Sequence, residues 1–334
     1  MQDTHITLAH GNGGRFMREL IEQLFAAHLA NAELDIQADA ASLSLEGESL
    51  LFTTDGFIVQ PLEFPGGSIG SLAIHGTCND LAVSGAEPRY LSLNAFIEEG
   101  MEIEQLERII RVLARTAKEV GVSVVAGDTK IVPRGEGGGL YLATTGLGVR
   151  LPGPRLALER IEPGDRILVS GPVGDHGVAV MLAREQFGLR GGVRSDTASV
   201  LPLTKAALAF GGVRFMRDPT RGGVATVCHE ICRATGFDLA LEQNRIPIRD
   251  AVNSVCEILG YDPLFLACEG RVVAVVEESE SEALLQRWRT LPAGRDAAII
   301  GQVTRGSGHL LMRTELGGER LLDELEDDPL PRIC

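Results

Sequence analysis

The sequence predicts a mixed α/β chain, α+β in character, built as two domains, and three observations carry that expectation. A chain of 334 residues with 44% hydrophobic content and 40 glycines holds more apolar material than one compact core usually absorbs. Amphipathic helical stripes alternate along it with short apolar runs of strand length. Leu151-Pro152-Gly153-Pro154 has the composition of a linker and stands between two strand-like runs. The expected division is residues 1–150, residues 151–310 and a flexible C-terminal tail over 311–334.

Phe16, Met17, Leu20, Ile21, Leu24 and Phe25 recur at helical spacing after the loop His10-Gly11-Asn12-Gly13-Gly14, so a glycine loop opens onto a helix. Strands are expected at 49–54 and 57–59. A helix begins near Ser68, with Ile69, Leu72, Ala73 and Gly76 on one face. Ile103, Leu106, Ile109, Ile110, Leu113, Ala117 and Val120 mark the clearest amphipathic helix, and it leads into a buried strand, 122–126, ending at Gly127-Asp128. A strand over 140–149 completes the first half. The second half mixes strands at 166–170, 271–276 and 297–303 with helices near 178–187 and 224–235. No short tandem repeat is present.

A formal net charge of −15 and the absence of a Lys/Arg-rich block argue against nucleic-acid binding, so partners should be proteins or small molecules. No apolar run approaches the roughly 18 residues of a membrane span, and the N-terminus has no signal-peptide pattern, which predicts no membrane association and a cytoplasmic location. The six cysteines, 78, 228, 232, 256, 268 and 334, are too scattered for a disulfide framework in so large a chain. Cys228 and Cys232 fall at i and i+4 beside Val224 and Ile231, the spacing of a core-facing helix stripe, and with His229 they read as packing before they read as a metal cluster.

Four acidic or glycine-rich stretches follow apolar runs and are expected to put a carboxylate at the end of an element: Thr53-Thr54-Asp55-Gly56, Cys78-Asn79-Asp80, Gly127-Asp128-Thr129-Lys130 and Arg217-Asp218-Pro219-Thr220-Arg221-Gly222-Gly223. Hard carboxylate oxygens in such places suit Mg²⁺, which completes its shell with water and substrate phosphates. The backbone amides of Gly11, Asn12, Gly13 and Gly14 are suited to cradle an anion at a helix start, and Lys130 adds a point charge. Asp218, Thr220 and Arg221 are expected to support a nucleotide or close the site, or Asp218-Pro219-Thr220 to cap the following helix. His176, in Gly174-Asp175-His176-Gly177, is expected in a surface loop. Cys334 follows an acidic run and two prolines, the composition of an extended, solvated arm that presents a thiol.

Taken in order, the runs 53–59, Phe64-Pro65-Gly66-Gly67, Gly76-Thr77-Cys78-Asn79-Asp80-Leu81-Ala82, Gly127-Asp128-Thr129-Lys130, 217–223 and Pro331-Arg332-Ile333-Cys334 resemble the HypE family of hydrogenase maturation factors, and the resemblance covers essentially the whole chain. One departure is Cys268, before Glu269-Gly270, where the family usually carries Asn. The resemblance implies a two-domain aminoimidazole-ribonucleotide-synthetase-like fold and a homodimer paired through the N-terminal domain. It implies ATP-dependent dehydration of a carbamoyl group on the Cys334 thiol to a thiocyanate, the source of the cyanide ligand on the iron of nickel-iron hydrogenase. Asp55, Asp80 and Asp128 would hold Mg²⁺ on ATP, Lys130 would offset phosphoryl charge, Asn79 would orient a phosphate or the amide, and Glu269 would act as base with a pKa raised by partial burial. Implied partners are a HypF-like carbamoyltransferase and a HypC–HypD-like iron scaffold. Two other readings remain at this point: a small-molecule kinase or ATP-dependent ligase of the same superfamily, and a non-enzymatic assembly scaffold.

Overall fold

The computed structural model describes residues 4–7, 19–31, 50–184 and 191–324. It forms two compact units. The first comprises Met1–Glu63, Gly67–Leu81 and Ala86–Arg150; the second comprises Phe64–Gly66, Ala82–Gly85 and Leu151–Cys334. The glycine loop at 10–14 and the end of the tail with Cys334 lie outside the described residues.

In the first unit, β1 (Leu50–Phe57), β4 (Ala86–Glu98), β5 (Ser123–Val132) and β6 (Leu140–Arg150) form a four-stranded sheet in the order β1-β6-β4-β5, after a short ribbon of β2 (Glu63–Phe64) and β3 (Gly67–Ser68). Only β4 and β5 run parallel, joined through helix α2 (Ile103–Val120). The α2 stripe read from the sequence is the buried one: Ile103, Leu106, Ile109, Ile110 and Leu113 all face the core. Each such side chain contributes about 1.5–3 kcal/mol relative to exposure. Gly121 ends the helix in the left-handed conformation, φ 83°, where a Cβ would be strained. Helix α1 (Ile69–Val83) packs close because it carries small residues at its contacts: a Cβ on Gly76 would lie 2.6 Å from the Phe57 ring, and one on Gly70 would lie 2.5 Å from the Ile109 carbonyl of α2.

The strand limits differ from expectation in an informative way. Thr53-Thr54-Asp55-Gly56 and Gly127-Asp128 are not turns; they lie inside β1 and β5. Those are the two edges of the sheet, where a strand can carry Gly and Asp because one side of its backbone needs no partner. Asp80 likewise lies within α1 rather than after it.

The second unit is a seven-stranded sheet, order β13-β12-β9-β11-β7-β10-β8, built from β7 (Arg166–Val169), β8 (Val213–Arg217), β9 (Asp238–Glu242), β10 (Val273–Val276), β11 (Ala298–Thr304), β12 (Leu310–Arg313) and β13 (Glu319–Leu321). Its helices are α3 (Asp175–Ala183), α4 (Leu201–Ala207), α5 (Gly223–Thr235), α6 (Asp250–Leu259) and α7 (Glu278–Arg289). Alternate strand residues feed two cores. Ile167, Val169, Val273 and Val275 join Cys228, Ile231 and Cys232 of α5 on one face. Leu168, Ala274 and Val276 join Leu203 of α4 and Leu284 and Trp288 of α7 on the other. Near-continuous apolar strands such as Val273–Val276 follow from this double coverage. Residues 311–321 are not a flexible tail: Leu310 and Met312 alternate into the core and hold β12 in the sheet, with Leu322 buried beyond β13.

Candidate active site

In the first unit, two of the predicted acidic residues come together. Asp55 stands on the helix-covered side of β1, in register with the buried Thr144 of β6. Gly76 of α1 leaves room for its Oδ2, since a Cβ there would lie at 3.3 Å, and Asp80 follows one helical turn later. Thr53, two residues before Asp55 on the same face of β1, donates its hydroxyl to Asp80 Oδ2 at 3.1 Å. Burial, and then the Asp80 charge, push the Asp55 carboxyl up from its ordinary 3.8 to about 6, against the lowering effect of the Gly56 amide at 2.9 Å. Asn79 is buried beside Asp80, at 1% exposure. Behind the pair, Thr144 Oγ1 donates to the Ala73 carbonyl of α1 at 3.1 Å and bonds Thr77, fixing this helix to the sheet.

Asp128 and Lys130 stand elsewhere in the same unit. Asp55, Thr144, Leu93 and Gly127 share one row across the sheet, so Asp128 and Lys130, with Asn94 and Phe96 opposite them, project from the other face. Lys130 Nζ pairs with Asp128 Oδ2 at 3.0 Å, and the Thr129 amide donates to Asp128 Oδ1 at 2.8 Å. That face also exposes Leu50, Phe52 and Phe96, with Phe52 72% exposed. Among the described residues, no three His, Cys, Asp or Glu side chains stand close enough together to hold a metal ion, so the three predicted ligands divide into a pair and a single residue.

In the second unit, Glu269 is 2% exposed, a deeper burial than the partial one expected. The segment 195–198 grips it: its amide donates to Asp196 Oδ1 at 3.1 Å, and its carbonyl accepts from the Ala198 amide at 3.4 Å. Two residues on, Arg271 is enclosed by Asp196 Oδ2 at 3.3 Å, Asp175 Oδ2 at 3.5 Å and the Pro172 carbonyl at 2.8 Å. Arg249 reaches Asp175 from outside at 2.9 Å. Burial pushes the Asp175 carboxyl up while Arg249 opposes it. Asp175, Asp196 and Arg271 were absent from the residues singled out in the sequence. Asp175 stood there only as the neighbour of His176, and Arg271 only follows the Glu269-Gly270 pair.

His176 is not in a surface loop. It lies fully buried in the first turn of α3, its Nδ1 2.8 Å from Ser195 Oγ and its ring edge-on to Phe64 at 5.4 Å. His75 is buried in α1, and burial lowers its pKa to about 4. Cys228 and Cys232 are core residues, as their spacing implied. Asp218 is buried in the loop between β8 and α5. The N-cap of α5 is Gly222, at φ 73°, and the Thr220 carbonyl accepts from the Gly223 amide at 3.0 Å.

Two domain families match the chain: AIR synthase related protein, N-terminal domain, over residues 37–150, and the corresponding C-terminal domain over residues 162–312. The carbamoyl dehydratase HypE of Azotobacter vinelandii is 44% identical over 336 residues, spanning 100% of this chain and 98% of the relative. The carbamoyl dehydratase HypE of Escherichia coli K12 is also 44% identical, over 99% of both chains. The chain belongs to the HypE family. A HypE structure in complex with ATP superposes with a TM-score of 0.93 at 42% identity, covering 98% of this chain and 99% of that one. The match to a HypE–HypF complex has a TM-score of 0.81 at 40% identity, covering 92% of this chain and 99% of that one. A thiamine-monophosphate kinase from Stenotrophomonas maltophilia shares the fold, with a TM-score of 0.68 at 22% identity over 93% of this chain and 98% of the kinase. No helix among the described residues is long and apolar enough to cross a membrane.

Proposed function

We propose that the chain is a cytoplasmic ATP-dependent dehydratase acting on a carbamoyl group carried by its own Cys334 thiol. The product is a thiocyanate that supplies the cyanide ligand of nickel-iron hydrogenase. The observation that carries this is full-length identity of 44% to proteins named carbamoyl dehydratase HypE. The amide oxygen of an S-carboxamide is a poor leaving group. It attacks the γ-phosphorus of ATP, ADP departs, one nitrogen proton is lost, and an O-phosphorylated imidate forms. A base then takes the remaining nitrogen proton, the C–O bond breaks, phosphate leaves with the former amide oxygen, and S–C≡N remains.

Asp55 and Asp80 fit a hard divalent cation: they are two oxygen donors on one face, and their mutual repulsion is relieved by positive charge. Mg²⁺ bound there would neutralise phosphate charge during the transfer. Asp128 does not share that face, so the proposed third ligand and Lys130 would serve ATP from the open face of the sheet. Gly11, Asn12, Gly13 and Gly14 are proposed to hold phosphates through backbone amides, with Asn79 orienting them and Asp218 and Thr220 lining the nucleotide site. Glu269 is the proposed base of the elimination step, a buried carboxylate on a stretch of chain held by hydrogen bonds. The exposed Leu50, Phe52 and Phe96 support a homodimer paired through the open sheet face. The HypE–HypF complex among the related structures supports a HypF-like carbamoyl donor, and a HypC–HypD-like scaffold is the proposed acceptor.

The test is intact mass of the C-terminal peptide after incubation with the carbamoyltransferase and carbamoyl phosphate, followed by Mg-ATP. A carbamoyl adduct on Cys334 that loses the mass of one water only with hydrolysable ATP is expected, and none forms in Cys334→Ala. ATP turnover on a small molecule with no Cys334 adduct would instead mark a kinase or ligase.

A further inference from the structure

We propose that Asp196 is a positioning residue for Glu269, holding the base in place by accepting its peptide N–H while anchoring the arginine two residues further on. The inference rests on the reading of Glu269 as the elimination base. Asp196 lies in a segment without regular structure, yet its side chain is fully buried and both its oxygens face the same short stretch of chain. Oδ1 takes the Glu269 amide at 3.1 Å, and Oδ2 faces Arg271 Nε at 3.3 Å. Between them Gly270 has no space for a side chain, because a Cβ would collide with the Asp196 carbonyl oxygen and sit 3.0 Å from the Ala198 amide. The contact is therefore too close to slide.

The segment is itself fixed. The Ser195 amide donates to the Pro65 carbonyl at 2.8 Å, and Ser195 Oγ bonds His176 and accepts the Thr197 amide at 3.1 Å. On its other side the Glu269 stretch is held by the Cys268 amide on the Pro219 carbonyl at 3.0 Å and by the Gly174 amide on Cys268 Sγ at 3.3 Å. Arg271 is shared between Asp196 and Asp175, so the stretch 268–271 is fastened to the starts of both α3 and α5. A base must sit within about half an ångström of its productive position, and a displacement near 1 Å costs about a hundredfold. Asp196 is the side chain that sets the Glu269 peptide directly.

The experiment separates position from charge. Asp196→Asn keeps the acceptor and removes the charge; Asp196→Glu keeps the charge but lengthens the side chain and shifts the acceptor. Carbamoylated full-length protein is mixed with saturating Mg-ATP, and the rate of water loss from Cys334 is followed by intact mass, alongside ATP affinity. D196E is expected to slow elimination by about tenfold or more and D196N by less than about threefold, with ATP affinity changed less than about twofold in both. In a Glu269→Gln background, D196E should slow the residual rate no further. Asp196→Ser, which cannot collide, reads the same loss if D196E does not fold. Equal slowing by D196N and D196E, weakened ATP binding, or further loss in the Glu269→Gln background would overturn the positioning role. Glu269→Gln dehydrating at the native rate would instead remove Glu269 as the base.

Discussion

The two units treat paired acids in opposite ways. In the first, Asp55 and Asp80 face each other across α1 and β1, and their proximity contributes to a carboxyl raised to about 6. In the second, a guanidinium stands between Asp175 and Asp196, and the pair is neutralised by the chain itself. A like-charge pair left half-covered between an edge strand and a helix would gain by binding a cation. An ion cluster closed by Arg271 and Arg249 is a frame that holds something else. Under the proposed function, the first would serve cation-assisted phosphoryl transfer and the second would place the base.

Glu269→Gln gives the largest expected effect. If Glu269 is the base, as proposed, its loss should slow water loss from carbamoylated Cys334 by about a hundredfold or more while ATP still binds, as stopped-flow binding and mass spectrometry would show. A comparable fall in ATP affinity would break the division of labour. Next comes Arg271→Leu, which takes the buried Asp196 carboxylate's arginine away and leaves Asp175 with Arg249 alone. Removing one partner of a buried ion cluster costs about 3–5 kcal/mol, and chemical denaturation should show that loss in the second unit.

Much of this frame was legible in the sequence, and the parts that were not share a physical cause. Helix α2 could be read because its apolar residues repeat at 3.6 over 18 positions with a glycine stop. The strand β5 was cut short because Gly127-Asp128 has turn composition, and only its edge position explains how it continues as strand. His176 sits between glycines, so local pattern pointed to the surface, whereas Phe64 and Ser195 enclose it. Asp196 touches Glu269 across 73 residues of sequence, a distance no local pattern spans.

Smaller effects sharpen the contrast. Cys228→Ser places a hydroxyl in the apolar core on α5 and should cost about 1–3 kcal/mol by thermal denaturation, with no change in bound metal by elemental analysis. Asp55→Asn acts in the other unit and with the opposite sign. A carboxyl whose folded pKa lies above 3.8 favours folding when protonated, so its stabilising contribution is complete below about pH 4 and lost as pH rises through about 6. The cation-free native protein should therefore lose stability across that window. Asp55→Asn should flatten the slope and gain on the order of 1 kcal/mol at pH 8, while losing the stabilisation that Mg²⁺ gives the native protein.

The most direct test of the division between units is a single-turnover experiment on carbamoylated protein with Mg-ATP, comparing Asp80→Asn with Glu269→Gln and identifying by mass the species each leaves on Cys334. The account predicts that Asp80→Asn stalls at the carbamoyl adduct with no ADP formed. It predicts that Glu269→Gln forms one equivalent of ADP and accumulates the O-phosphorylated adduct. Both variants stalling at the same species would contradict it.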